Sequence, residues 1–177
     1  MGAVAGILGA ARGPVARIAV ARAGAGVAGL CGEMDRPGAV EQIAADAAAG
    51  KRLVMATASN EFYVAAIAAR LGFGDVIATP ARWDDDRLQH QLGGDNCYGE
   101  AKRALVAVWL ARHGLEGEAV CFYSDHESDL PLFELAVASG GEAVVANPSS
   151  ALRVMAGARG WRVVDWGEQV RSVFERA

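Results

Sequence analysis

From Arg52 to Trp166 the chain alternates short apolar runs with longer helical ones. The stretches Arg52–Thr57, Asp75–Thr79, Ala119–Tyr123, Glu142–Asn147 and Trp161–Trp166 are short and apolar, and read as strands. Between them, Asn60–Leu71, Gly99–His113, Leu130–Ala138 and Ser150–Arg159 carry helical patterns, with Gly72 and Gly114 as stops. An earlier helix opens at Pro37-Gly38 and runs through Ala49 to a stop at Gly50. Gly167–Ala177 reads as a terminal helix. Strands alternating with helices of roughly 10–15 residues pair in parallel and take helices on both faces, so the fold class is α/β. Two stretches stand outside this rhythm. Trp83–Asp95 is polar and suits a small hairpin or flap. Ile7–Leu30 is rich in small residues and reads as weak helices broken at Gly13-Pro14 and Gly24-Ala-Gly26.

The chain has 177 residues, which predicts one domain with at most a small appendage. Hydrophobic residues make up 53%, enough to bury a core. A net charge of −4 leaves no footprint for nucleic acid or an anionic membrane. The three cysteines, Cys31, Cys97 and Cys121, show neither metal-ligand spacing nor a disulfide framework, and suit reduced thiols in the cytoplasm. Cys121 lies inside an apolar run and belongs in a core. Met1–Ala11 is apolar but Gly-rich, lacks a basic lead and is too short to span a bilayer. Lysine occurs only at Lys51 and Lys102 among 17 basic side chains. Lys51, beside Arg52, reads as a solvated flank, whereas an ammonium at Lys102 has a use worth asking about.

The stretch Phe122-Tyr-Ser-Asp-His-Glu-Ser-Asp-Leu-Pro-Leu-Phe133 carries the chemistry. A buried strand ends at Ser124, and two carboxylates, Asp125 and Asp129, follow. Ligands of open α/β sheets bind at this carboxyl edge. Paired carboxylates there suit Mg²⁺, which takes oxygen ligands and keeps waters for a phosphate; the same acids would also serve a solvated turn that caps the next helix. Thr57 ends another strand, so its hydroxyl and the amides of Ala58 and Ser59 can meet a phosphate oxygen. Equally, Thr57 or Ser59 could cap the helix that follows. Lys102, early in its helix, can reach the same edge. A cation site, an oxygen donor and a positive charge together are a set that phosphoryl transfer uses. Other candidates have bland readings. His90, His113 and His126 suit the surface, Trp161 and Trp166 suit packing, Trp83-Asp-Asp-Asp86 suits a solvated turn, and Ser59 and Ser124 lack a readable triad.

These motifs resemble the haloacid dehalogenase (HAD) superfamily of hydrolases, in the branch similar to phosphoserine phosphatase. Ala56-Thr-Ala-Ser-Asn60 resembles the family's second motif, Asn96-Cys-Tyr-Gly-Glu-Ala-Lys102 its third, and Tyr123-Ser-Asp-His-Glu-Ser-Asp-Leu-Pro-Leu132 its fourth. Ala146-Asn-Pro148 and Arg159–Trp166 match the branch's C-terminal pattern. The resemblance spans roughly Arg36–Gly167. It implies a Rossmann-like parallel sheet, Mg²⁺, and hydrolysis of a small phosphorylated substrate through an aspartyl-phosphate. In that scheme Thr57 holds the phosphoryl group with Ala58, Ser59 and Asn60, and Lys102 neutralises it. Asp125 ligates the metal, Asp129 supports the metal or Lys102, and Ser128 assists.

The sequence departs from the family at its first motif, a strand followed by Asp-x-Asp-x-Thr that supplies the nucleophile. The nearest echo, Glu33-Met-Asp-Arg-Pro37, has Glu in the nucleophile's place and Pro in that of Thr. Residues 1–36 therefore resemble the remnant of a helical cap, 37–177 form the core, and the first core strand is expected to be missing. Three explanations stand open: a true start further upstream, a decayed gene, or a non-catalytic relative that binds a phosphorylated ligand or a protein partner. Without a carboxylate nucleophile, covalent phosphoryl transfer has no acceptor, and little or no turnover is expected. A sheet lacking a central strand would expose an unpaired edge and favour self-association.

Overall fold

The computed structural model describes residues 4–8, 17–20, 23–24, 37–85 and 87–167. In chain order the elements are β1 (Val4–Leu8), β2 (Arg17–Val20), β3 (Ala23–Gly24), α1 (Pro37–Ala48), β4 (Val54–Asn60), α2 (Glu61–Arg70), β5 (Asp75–Thr79), β6 (Ala81–Asp84) and β7 (Arg87–Leu92). They continue with α3 (Gly99–Arg112), β8 (Ala119–Ser124), α4 (Leu130–Ala138), β9 (Glu142–Ala146), α5 (Ser150–Arg159) and β10 (Arg162–Val164). One 3₁₀ turn, Glu127–Asp129, joins β8 to α4.

The main sheet runs β10-β9-β8-β1-β4-β5. Its β10/β9, β9/β8 and β4/β5 pairs are parallel, as the alternation of elements requires. Alternate residues of each strand face opposite layers, because successive side chains of a strand point to opposite faces. Val54, Ala56, Val120, Phe122, Ala143 and Val145 pack against α3, α4 and α5 through Val106, Leu132, Phe133 and Leu152. Leu53, Met55, Cys121, Tyr123, Val144 and Ala146 face α1, α2 and Trp166. Each fully buried Phe, such as Phe122 and Phe133 with centroids 5.0 Å apart, contributes about 1.5–3 kcal/mol.

Backbone approach is tight where α4 returns to β9. A Cβ on Gly141 would meet the Val120 carbonyl oxygen at 2.0 Å, so only glycine fits there. At the far edge Asn147 adopts φ +46, which a short polar side chain tolerates. Its amide donates to Asp165 (2.8 Å) and accepts from the Trp166 N–H (3.1 Å), pinning Trp166 beneath the sheet. Trp161 packs on Phe133, and Trp166 on Tyr123. Both tryptophans thus serve packing, as their sequence context indicates.

The N-terminal stretch differs from its sequence reading. Its described residues are strands, not the weak helices expected over Ile7–Leu30. Small residues give little helical amphipathicity, and pairing with the sheet decides their conformation. β1 lies between β8 and β4 and is antiparallel to both. β2 pairs in parallel with β8, and β3 pairs with β1. A strand therefore stands in the central position expected to be vacant, but it runs against its neighbours. Glu33 and Asp35, the echo of the first motif, and the terminal helix beyond Gly167 lie outside the described residues. The polar stretch after Trp83 forms the β6–β7 hairpin. No described helix is long and apolar enough to cross a membrane.

Candidate active site

The carboxyl ends of β4, β5 and β8 and the first turn of α3 meet at one edge of the sheet. At the end of β4 the pairing with β5 slips between Thr57 and Asn60, which takes Ala58 and Ser59 out of the ladder. Bulges of this kind re-aim side chains beside functional sites. Thr57 is fully buried, and its Oγ1 accepts the Ser59 N–H at 3.0 Å. Asn60, rather than Thr57 or Ser59, caps α2, accepting the Phe62 N–H at 3.3 Å. The alternative reading of Thr57 and Ser59 as helix caps is thereby corrected.

On the other side, Lys102 sits in the first turn of α3 with its side chain wholly buried. Its Nζ lies 2.6 Å from Asp129 Oδ1, and Asp129 is also fully buried. Ser124 Oγ donates to Asp129 Oδ2 at 2.7 Å and accepts the His126 N–H at 3.3 Å. Each carboxylate oxygen of Asp129 thus has a protein partner. Asp125 follows Ser124 and is half-buried at the strand end. Gly99 begins α3 at φ +54, a left-handed conformation that glycine adopts without strain, close to the Ser128 carbonyl.

Cys97 lies between the two halves of the edge. Burial pushes its thiol up to about 11 against the pull of the Lys102 charge and a hydrogen bond with the Thr57 backbone. At neutral pH this raised, buried thiol stays protonated.

His126 is exposed and caps the 3₁₀ turn, accepting from the Ser128 N–H at 3.1 Å. His90 and His113 are also exposed. Lys51, read as a solvated flank, is instead paired with buried Asp46, which Gln42 also contacts at 3.1 Å. Sequence reasoning passed over Thr79, which is buried at the end of β5 and bonded to both neighbouring loops. Its signal was present: a hydroxyl residue closing an apolar strand, as at Thr57.

No group of three or more His, Cys, Asp or Glu side chains able to hold a metal occurs among the described residues. Mg²⁺ does not require one, since it binds through one or two carboxylates and keeps the rest of its shell for water and phosphate. Asp125, half-buried at the strand end, is a carboxylate that fits that chemistry, whereas both Asp129 oxygens already meet Lys102 and Ser124.

The chain is 34% identical over 132 residues to a probable phosphatase of Mycobacterium tuberculosis, covering 75% of this chain and 44% of that protein. It is 33% identical over 118 residues to a phosphoserine phosphatase of the same organism, covering 67% and 37%. A histidinol-phosphatase of Neisseria meningitidis is 29% identical over 122 residues, covering 67% and 53%. The chain thus spans about half, or less, of the length of these curated relatives. Among solved structures, a Bordetella pertussis protein of unknown function aligns with a TM-score of 0.68 at 37% identity, over 73% of this chain and 58% of that one. A HAD-family hydrolase of Salmonella enterica shares the fold with a TM-score of 0.57 at 15% identity, over 72% and 41%. The profile of the haloacid dehalogenase-like hydrolases matches residues 6–134, which run from β1 through the Thr57 turn and the Lys102–Asp129 pair into α4, and the chain belongs to that family.

Proposed function

We propose that this edge binds the phosphoryl group of a small phosphomonoester in a Mg²⁺-dependent phosphatase of the phosphoserine-phosphatase-like branch. The fully buried Lys102–Asp129–Ser124 arrangement is the observation that carries the reading. A buried ion pair is a poor source of stability, because desolvation offsets most of its Coulomb attraction. A buried, hydrogen-bonded charge at the carboxyl edge of a sheet is better understood as prepared for an anion.

In this reading Thr57 Oγ1 and the turn Ala58-Ser59-Asn60 hold phosphoryl oxygens. Lys102 balances their charge while Asp129 and Ser124 fix its ammonium in place. Asp125 carries Mg²⁺, whose chemistry when bound is to neutralise phosphate oxygens. The nucleophile is the open part. The strand between β4 and β8 reads Val4-Ala-Gly-Ile-Leu8, with no carboxylate, and places Ala5 opposite Thr57. We therefore expect weak or no turnover from these 177 residues, with ligand binding retained. Relatives that bear phosphatase names favour the phosphatase reading over a purely non-catalytic module.

The test is phosphate release from an aryl phosphate by the purified chain with Mg²⁺, with chelator, and in Asp125→Asn, together with calorimetric binding of inorganic phosphate. Binding that weakens on chelation and in Asp125→Asn, with little release, is the expected result. Mg²⁺-dependent turnover would point to a carboxylate outside the described strands, with Glu33 and Asp35 the first to replace. Absence of any phosphate binding would overturn the proposal.

A further inference from the structure

The bulge that lifts Ala58 and Ser59 out of the β4–β5 ladder leaves the Ala58 carbonyl to find a partner elsewhere. It finds Thr79, whose Oγ1 donates to Ala58 O at 2.9 Å. The same oxygen accepts the Cys97 N–H at 3.1 Å and lies 3.0 Å from Asn96 Oδ1. Thr79 is 2% exposed, so its own hydroxyl is held away from bulk water. A hydroxyl has one proton and two lone pairs. Donation to Ala58 and acceptance from Cys97 use the proton and one lone pair, and an Asn96 amide turned to present its nitrogen would fill the other.

One side chain thus ties together two segments that are distant in sequence. The first is the turn Thr57–Asn60. The second is the lead into α3, which carries Lys102 five residues beyond Cys97. We propose that Thr79 is a positioning residue that sets the separation between the phosphate-holding turn and the lysine-bearing helix. It touches no reacting atom and acts through the Ala58 carbonyl and the Cys97 amide. A methyl in place of its hydroxyl would leave the Ala58 carbonyl and the buried Cys97 N–H without this partner, so both segments would loosen together. The ligand in this inference rests on the phosphatase reading above, whereas the coupling of the two segments does not.

Thr79→Val and Thr79→Ser separate the possibilities, with amide hydrogen exchange measured over 57–60 and 96–102 and inorganic phosphate binding measured with Mg²⁺. In Thr79→Val, exchange is expected to quicken in both segments together by roughly tenfold. Phosphate affinity should fall by roughly fivefold, the scale of one lost hydrogen bond. Thr79→Ser should restore both, because it keeps the hydroxyl. Faster exchange in one segment only, a uniform rise across the chain, or a serine variant that behaves like valine would overturn the proposal. If the unaltered chain binds no phosphate, the phosphatase reading fails while the paired exchange response still decides the role of Thr79. Should Thr79→Val lose its thermal transition, Asn96→Ala at an exposed position replaces it, and a response confined to 96–102 would then count against the proposal.

Discussion

The chain's two lysines both pair with aspartate, yet the two pairs are unlike. Lys51 and Asp46 are five residues apart, joined across the end of α1, and Lys51 keeps 15% of its side chain in solvent. Lys102 and Asp129 are 27 residues apart, bring α3 to the turn after β8, and are wholly buried. The first pair is a local closure that the chain reaches as soon as α1 forms. The second removes two charges from water and needs three elements in place before its Coulomb attraction is realised. Two ion pairs of the same composition therefore differ in what they do: one finishes a helix, the other holds a charge ready at the ligand edge.

The largest effect should come from breaking the buried pair on one side. Lys102→Met strands a desolvated carboxylate and should cost about 3–5 kcal/mol in a urea titration. Removing both charges, Lys102→Met with Asp129→Leu, should recover most of that loss while phosphate binding stays absent. A double variant as unstable as the single one would show that the pair is not an independent unit. Lys51→Met should cost only about 1 kcal/mol, because Gln42 still contacts Asp46. A cost equal to that of Lys102→Met would erase the contrast.

The smallest effect is read from the thiols. Burial pushes both Cys97 and Cys121 from 9 up to about 11, with Lys102 pulling the first down and Lys51 the second. Because the folded values are raised, this contribution to stability is complete below pH 9 and is lost as pH rises towards 11. Thermal midpoints should fall across that window. Lys102→Met should slow alkylation of Cys97 alone, and Lys51→Met that of Cys121 alone. Removing a nearby cation disfavours the thiolate in each case. Both thiols slowing in either variant would mean that the two pairs are not electrically separate.

Much of this was readable in the sequence because local and global signals agree from Pro37 onward. Asp75–Thr79, Leu130–Ala138 and Ser150–Arg159 keep their expected bounds, since strand runs and helix stops there coincide with the tertiary layers. Lys102 stood out for its rarity and its place early in a helix, and Asp129 for its spacing from a strand end. The rest depended on contacts between distant segments. Val4–Leu8 becomes a strand because β4 and β8 flank it, which Ala and Gly spacing does not announce. Thr79 matters through the bulge opposite it, and bulges leave no mark in composition. Lys51 looked solvated because its neighbour in sequence is Arg52, whereas its neighbour in space is Asp46.

Donor counting bears on why an ammonium suits the position of Lys102. An ammonium brings three N–H groups into a site and a guanidinium five, fixed in a plane. Around Lys102 the wholly buried Asp129 offers one oxygen to the cation and gives the other to Ser124. Arginine there would bring five N–H groups to a carboxylate that has one oxygen left for the cation. In a chain whose basic residues are otherwise arginine, both lysines meet an aspartate that is itself buried. Beside Asp129 the number of available oxygens is the limit, because one is already taken by Ser124.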